Sequence, residues 1–210
     1  MRNRRSNTLL DITANYIIKL LVNELPHQHL YHGIHHTFEV VNYTKVIGQN
    51  SGIDGEQLED LLLSAWFHDV GFVETYKGHE ERSVIAAESF LSNYNISANR
   101  ISKICKCILA TEFVREPSVL MEEVICDADM AHVGQGTYIV KQELLRMELE
   151  SITHHVFDDL EWAEENYKFL TKHNFYTDYA KRKYSEMKKQ NLNEVIERLE
   201  FLRLEKKINS

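Results

Sequence analysis

Leu61-Leu62-Leu63-Ser64-Ala65-Trp66-Phe67-His68-Asp69-Val70-Gly71 is the stretch on which the reading of this chain turns. Leu58, Leu61, Leu62, Ala65 and Trp66 recur at helical spacing, so the run predicts a buried helix that Gly71 breaks. It ends in an adjacent histidine and aspartate where a cap is expected. Seven largely apolar residues directly before the pair carry it into the interior. A buried imidazole and a buried carboxylate each need a strong partner, such as a cation. Alone, a His-Asp dipeptide says little, because polar pairs decorate many helix ends. Two further clusters change its weight: Tyr31-His32-Gly33-Ile34-His35-His36 upstream and Cys126-Asp127-Ala128-Asp129 downstream. Together the three supply neutral nitrogens and hard carboxylate oxygens for one divalent cation.

The surrounding sequence reads as helix throughout. Of 210 residues only eight are glycine and two proline, and no glycine or proline follows Gly136. Apolar periodicity predicts helices over Leu10–Leu25 (ended by Pro26), from His35 through Ile47, and over Glu80–Leu91. Others are expected over Ile101–Leu109, Val119–Val133, Tyr138–Ile152, Leu160–Leu170 and Tyr179–Lys207. Phe72–Gly78 reads as a loop. The expected architecture is one all-α domain over residues 1–210, a helical bundle with its signature region at 31–134 and a helical extension at 137–210. A chain of this length buries roughly 70% of its unfolded surface, enough for a substantial core. The stripe Leu192, Val195, Ile196, Leu199 and Leu202 on the last helix must find a cover, either the same domain or a second copy in a homodimer.

The formal net charge is −8. A general nucleic-acid binder carries a basic face, which argues against that class, while a small phosphorylated substrate stays compatible because local cations can outweigh the global charge. Arg2, Arg4 and Arg5 read as a solvated tail. Three cysteines, Cys105, Cys107 and Cys126, suit a reduced, cytoplasmic protein, and Cys105-Lys106-Cys107 lacks the second pair of a zinc knuckle. No apolar run is long enough to span a bilayer, so no membrane partner is expected.

In order, spacing and context these clusters resemble the signature H…HD…D of the HD-domain superfamily of metal-dependent phosphohydrolases, over about Tyr31 to Gly134. The first cluster looks like the pattern Tyr-His-Asn-x-x-His, whose final histidine binds metal; the resemblance therefore implies His36, with Gly33 standing where the pattern has Asn. It also implies His68 and Asp69. Asp127 and Asp129 are turned about 200° apart on a helix, and periodicity alone leaves open which one faces inward. Resemblance to Asp-Ala-Asp-Leu segments of the superfamily favours Asp129 as the ligand and leaves Asp127 to support it. His32, one turn before His36, matches the histidine that protonates the leaving oxygen in related phosphodiesterases. His79 lines the pocket, and a second metal is not expected because Ala110-Thr111-Glu112 offers no further histidine. Arg82 and Lys77 are candidate phosphate contacts, and Glu74 a carboxylate that orients water.

The resemblance implies hydrolysis of a phosphomonoester or phosphodiester, with nucleotides among the candidates, by water activated on one divalent ion. Two histidines and two carboxylates suit Mn, Fe, Mg, Co or Ni better than a thiolate-rich zinc site. Two other readings compete. One is a catalytically silent ligand-binding or interaction module. The other is a binuclear-iron oxygenase of the same fold, which would want more histidines.

Overall fold

Thr8 and Asp11 start the first helix by capping each other. The Thr8 hydroxyl accepts the Asp11 N–H at 3.2 Å, and the Asp11 carboxylate accepts the Thr8 N–H at 3.0 Å. Asp11, which interrupts the apolar pattern, is thus a start signal for α1 (Leu9–Glu24). The computed structural model describes residues 8–209; Arg2, Arg4 and Arg5 lie outside them. Among the described residues there are nine α-helices and no strand, an all-α fold. The remaining helices are α2 (Ile34–Asn50), α3 (Gly55–Phe67), α4 (His79–Leu91), α5 (Ala98–Ala110), α6 (Leu120–Asp129), α7 (Tyr138–Thr153), α8 (Asp159–Lys172) and α9 (Asp178–Ile208). None is long and apolar enough to cross a membrane.

Two connections differ from expectation. Phe72 belongs to a 3-10 turn, Val70–Val73, rather than to a loop. The helix expected to run through Val133 is α-helical only to Asp129 and then tightens into a 3-10 turn, Met130–Gly134. Each tightening has a neighbour that explains it. A Cβ on Gly71 would lie 2.0 Å from the His79 carbonyl oxygen, and one on Gly134 2.4 Å from Tyr184 Cβ, so neither turn tolerates a side chain there. Contacts divide the described residues into two compact units, residues 8–27 with 32–129, and residues 28–31 with 130–209.

The N-terminal unit is organised around α3, which packs against α1, α2, α4, α5 and α6. Leu63, Trp66 and Phe67 join Ile17, Leu21, Val70, Leu91, Ile104 and Ile108 in one buried cluster. The run that decides the sequence reading is therefore the centre of the core, and it delivers His68 and Asp69 to one end of it. At the other end of α3, Arg100 of α5 donates to Asp60 Oδ1 (2.8 Å from Nε) and to Glu59 (2.6 Å from Nη2). Asp60 is only 2% exposed. Burial pushes its carboxyl up from the ordinary range, and Arg100 opposes that shift.

In the C-terminal unit, α9 packs on α8 and on the 3-10 turn Met130–Gly134. It buries Tyr184, Asn191, Val195 and Leu199. Leu192, Ile196 and Leu202 of the same stripe are half-buried. Asn191 donates to the carbonyls of Val133 (2.8 Å) and Gln135 (2.9 Å), satisfying a turn that has left the α-helical register. Arg198 and Arg203 pair with Asp159 and Glu164 of α8. His132, which has no partner at helical spacing, finds one far away in sequence: its Nδ1 lies 3.0 Å from the buried Tyr31 hydroxyl.

Replacing Arg100 by Met strands the Asp60 carboxylate in the interior. The expected outcome is a loss of about 2–3 kcal/mol of unfolding free energy by denaturant titration. The double change Arg100→Met with Asp60→Leu should recover much of it, since no charge is then left buried.

Candidate metal centre

Two consecutive residues of a regular helix point about 100° apart, so His68 and Asp69 could not converge if α3 simply continued. The backbone prevents that continuation. His68 keeps helical dihedrals as the C-cap, and Asp69 adopts φ −108°, ψ 4°, the bridge region, as the chain passes into the 3-10 turn. That change brings Asp69 Oδ2 to 3.1 Å from His68 Nε2. Ser83 helps hold the turn, its hydroxyl accepting the Gly71 N–H at 2.9 Å.

His36 enters from the first turn of α2 and Asp129 from the last residue of α6. His36 Nε2 lies 3.0 Å from Asp129 Oδ1, 3.3 Å from Asp69 Oδ2 and 3.4 Å from His68 Nε2. His68 Nε2 is 3.7 Å from Asp129 Oδ1. His36, His68 and Asp69 form a mutually close group able to hold a metal ion, and Asp129 reaches both imidazoles of that group. Of the two aspartates between which periodicity could not decide, Asp129 is the one within reach of both imidazoles. Asp127 is buried, with 1% exposed. His35 is exposed, on a different face of α2 from His36.

The donor set is short of positive charge. His68 Nδ1 lies 2.9 Å from the Ala65 carbonyl, which requires a proton on Nδ1 and leaves Nε2 as a lone pair in the neutral ring. That lone pair faces two carboxylates, so acceptor meets acceptor unless a proton or cation stands between. Asp69 Oδ2 is buried and lies near two imidazole nitrogens, yet no hydrogen bond satisfies it. Without a metal, protons fill the role. Burial alone would push the His36 imidazole down, but the carboxylates of Asp129 and Asp69 overcome it and raise it to about 10. His68 is raised by the same balance, burial opposed by Asp69 and Asp129. Asp69 and Asp129 are held below the usual carboxylate range, the imidazoles outweighing their burial. The spacing fits an ion as well. Ligands bound at about 2.1 Å stand about 3.0 Å apart at neighbouring octahedral positions and about 3.4 Å apart at tetrahedral ones. The separations of the two imidazole nitrogens from each other and from the two carboxylates span 3.0–3.7 Å.

The rim is aromatic and basic. His79 opens α4 with Nδ1 3.1 Å from the Tyr76 carbonyl, which directs Nε2 towards Asp69 Oδ1 at 3.5 Å. Its ring stacks on Phe72 with centroids 3.7 Å apart. Phe72 also meets the His32 ring at 4.5 Å, and His32 lies edge-on to His36 at 5.7 Å. Arg82 and Glu74 face each other at 3.6 Å, both well exposed, and Lys77 is exposed. Glu112, in the stretch where the sequence offers no further histidine, pairs with Arg115. Glu80 is a member that the sequence reading missed: it is 9% exposed, with Oε1 3.4 Å from His79 Nε2. Its place immediately after His79 in the first turn of a helix, next to Glu81, reads simply as charge complementing a helix start. Phe72 was also missed as a site residue, because the 3-10 turn that aims it was read as loop.

No family model matches the chain, and no curated protein does. Solved structures that share its fold include the following two. One, from an uncultured Thermotogales bacterium, is described as a predicted HD superfamily hydrolase. It is 17% identical, with 91% of each chain covered and a TM-score of 0.57. The other, a protein from Lactobacillus plantarum, is also 17% identical. The match covers 97% of this chain and 100% of that one, with a TM-score of 0.65. The chain therefore has the fold seen in a predicted HD superfamily hydrolase, and the His36–His68–Asp69 group is a candidate metal site within it.

The raised imidazoles give a pH signature. His36 goes from an ordinary 6.5 to about 10 on folding, so its contribution to stability is complete below about pH 6.5 and is lost as pH rises towards 10. The melting temperature of metal-stripped protein should therefore fall between pH 7 and 10. A metal-stripped protein that becomes more stable over that interval would contradict the arrangement.

Proposed function

We propose that the chain is a member of the HD superfamily and a metal-dependent phosphohydrolase. In this reading His36, His68, Asp69 and Asp129 hold one divalent ion. The observation that carries it is the meeting of two imidazole nitrogens and two carboxylate oxygens, from three separate stretches of sequence, at coordination spacing. The fold shared with a predicted HD superfamily hydrolase supports it. A divalent cation supplies Lewis acidity towards a phosphoryl oxygen and makes water a competent nucleophile near neutral pH.

The chain's own groups do the rest. The Ala65 carbonyl keeps the proton of neutral His68 on Nδ1, so Nε2 stays a donor of electrons. Asp69 and Asp129 contribute two negative charges that neutralise the ion and make its uptake favourable in a buried place. Two of the four side chains come from the junction of α3 with its 3-10 turn, a rigid part of the core, which fixes the approach of substrate. His32, beside His36 and against Phe72, is the general acid that donates a proton to the leaving oxygen. His79 orients groups around Asp69 Oδ1, and Arg82 and Lys77 are the mobile cations available to substrate phosphate oxygens. The substrate is a small phosphomonoester or phosphodiester, with nucleotides the first class to test. Asp127 supports the Asp129 turn from within the core.

Metal content separates the aspartates. By elemental analysis Asp69→Ala and Asp129→Ala should lose stoichiometric metal, while Asp127→Ala keeps most of it; the opposite ranking for 127 and 129 would mean that the wrong carboxylate is assigned.

Turnover tests the activity. Against a panel of nucleotides and phosphomonoesters with added Mn, phosphate release should be abolished by chelation and restored by metal. A panel with no metal-dependent release would favour a silent ligand-binding module instead. His32→Ala should lower kcat by about 10²–10⁴-fold with metal content unchanged, the range for loss of a general acid. Equal loss of metal and rate would make His32 a ligand or a structural residue.

A further inference from the structure

We propose that the C-terminal unit carries a second small-molecule site, a lysine-lined pocket on α9 that binds a compact phosphorylated anion. Lys181, Ser185, Lys188 and Lys189 fall at i, i+4, i+7 and i+8 of α9, one continuous face. Asn174 and Phe175, from the connection between α8 and α9, close the other side. The cavity measures about 610 Å³, within the range that holds a small-molecule ligand. Its lining includes three ammonium groups and no carboxylate, in a chain of net charge −8.

The missing counter-charge is what distinguishes this face from an ordinary solvated one. Several other cations of the same unit take the carboxylates beside them. Arg146 pairs with Glu150 and Asp159, Arg198 with Asp159, Arg203 with Glu164, and Lys168 with Glu165. Lys188 instead turns inward and donates to the His173 carbonyl, a neutral group. That position is half-buried, and desolvation pushes its ammonium down from the ordinary value. The imidazole of His173 cannot balance the charge either: burial, then Lys188, lowers it to about 4, so the ring is neutral. A partly desolvated cation with only neutral dipoles around it gains strongly from an incoming anion, more than a fully hydrated lysine does. Lys181 and Lys189, more exposed, add charge to the mouth. The Ser185 hydroxyl can donate to a phosphoryl oxygen, and Phe175 gives an apolar wall to whatever bears the phosphate.

Calorimetric titration of the full-length, metal-free chain with inorganic pyrophosphate tests the site. One equivalent should bind. The triple variant Lys181→Gln, Lys188→Gln, Lys189→Gln should weaken binding by about tenfold or more, the effect of losing several charged contacts. The control Lys206→Gln with Lys207→Gln should stay within about twofold of wild type. If the triple variant does not fold, exposed Lys189→Gln alone should still weaken binding by about threefold. Three results overturn the proposal. One is the absence of binding up to about 10 mM, far weaker than a useful site. Another is equal weakening by the Lys206 and Lys207 control, which would mean diffuse attraction. The last is undiminished binding in the triple variant with loss in the variant Lys77→Gln, Arg82→Gln, which would assign the pyrophosphate to the rim of the histidine-aspartate centre.

Discussion

The N-terminal unit depends on one electrostatic constraint: a buried and a half-buried carboxylate must coexist with two buried imidazoles at one end of an apolar core. Asp69 is 6% exposed, His36 5% and His68 not at all, so water cannot screen them. Each group alone would be strongly disfavoured as an ion. Together they are tolerable only with positive charge among them, whether protons on the imidazoles or a cation. The Ala65 carbonyl sharpens the demand by taking the one proton that neutral His68 has to give. The site is thus built with a charge deficit, and that deficit is its chemistry.

Backbone geometry makes the deficit possible. Adjacent residues diverge in a helix, and α3 has to stop for His68 and Asp69 to face the same way. The stop uses a bridge-region residue, a 3-10 turn and a glycine that α4 approaches so closely that no Cβ would fit. The same close approach places His79 over Phe72 and in reach of Asp69. One tight turn therefore sets the metal-type ligands, the aromatic floor and the rim together. A side chain at Gly71 would disturb all three at once, through backbone rather than through any ligand.

Much of this was legible in the sequence, and what was not has physical reasons. The nine helices follow from a strong 3.6-residue apolar period and the scarcity of glycine and proline. His36, His68 and Asp69 stand out because ligand-type residues at the end of an apolar run are costly unless they are used. The choice between Asp127 and Asp129 could not be made from periodicity, because the two point about 200° apart and either side of α6 could face the site; only the position of α6 against α2 decides it. The 3-10 turns escaped notice because they depend on close contacts with His79 and Tyr184, residues not adjacent in sequence. Glu80 and the His132–Tyr31 pair were hidden likewise: an acid in a helix's first turn looks like dipole complementation, and a partner 101 residues away leaves no local trace.

The two units resolve buried charge in opposite senses. In the N-terminal unit anionic and lone-pair groups converge and lack a cation; on α9 ammonium groups converge and lack an anion. Acidic chains usually neutralise their cations internally, as Arg100 does with Glu59 and Asp60, and Arg146 with Glu150 and Asp159. Folding selects such pairs because a partly buried charge without a partner is unfavourable, so an exception needs a compensating contribution from outside the chain. For His36, His68, Asp69 and Asp129 protons can supply it near neutral pH, which lets the metal-free protein fold and leaves binding of an ion as an exchange of protons for metal. Lys188 has no such internal substitute: an ammonium can shed its proton only at a cost, and its nearest imidazole is already neutral. The second case therefore points outward as the first does, because an anion brought to Lys188 balances that charge without rebuilding the fold.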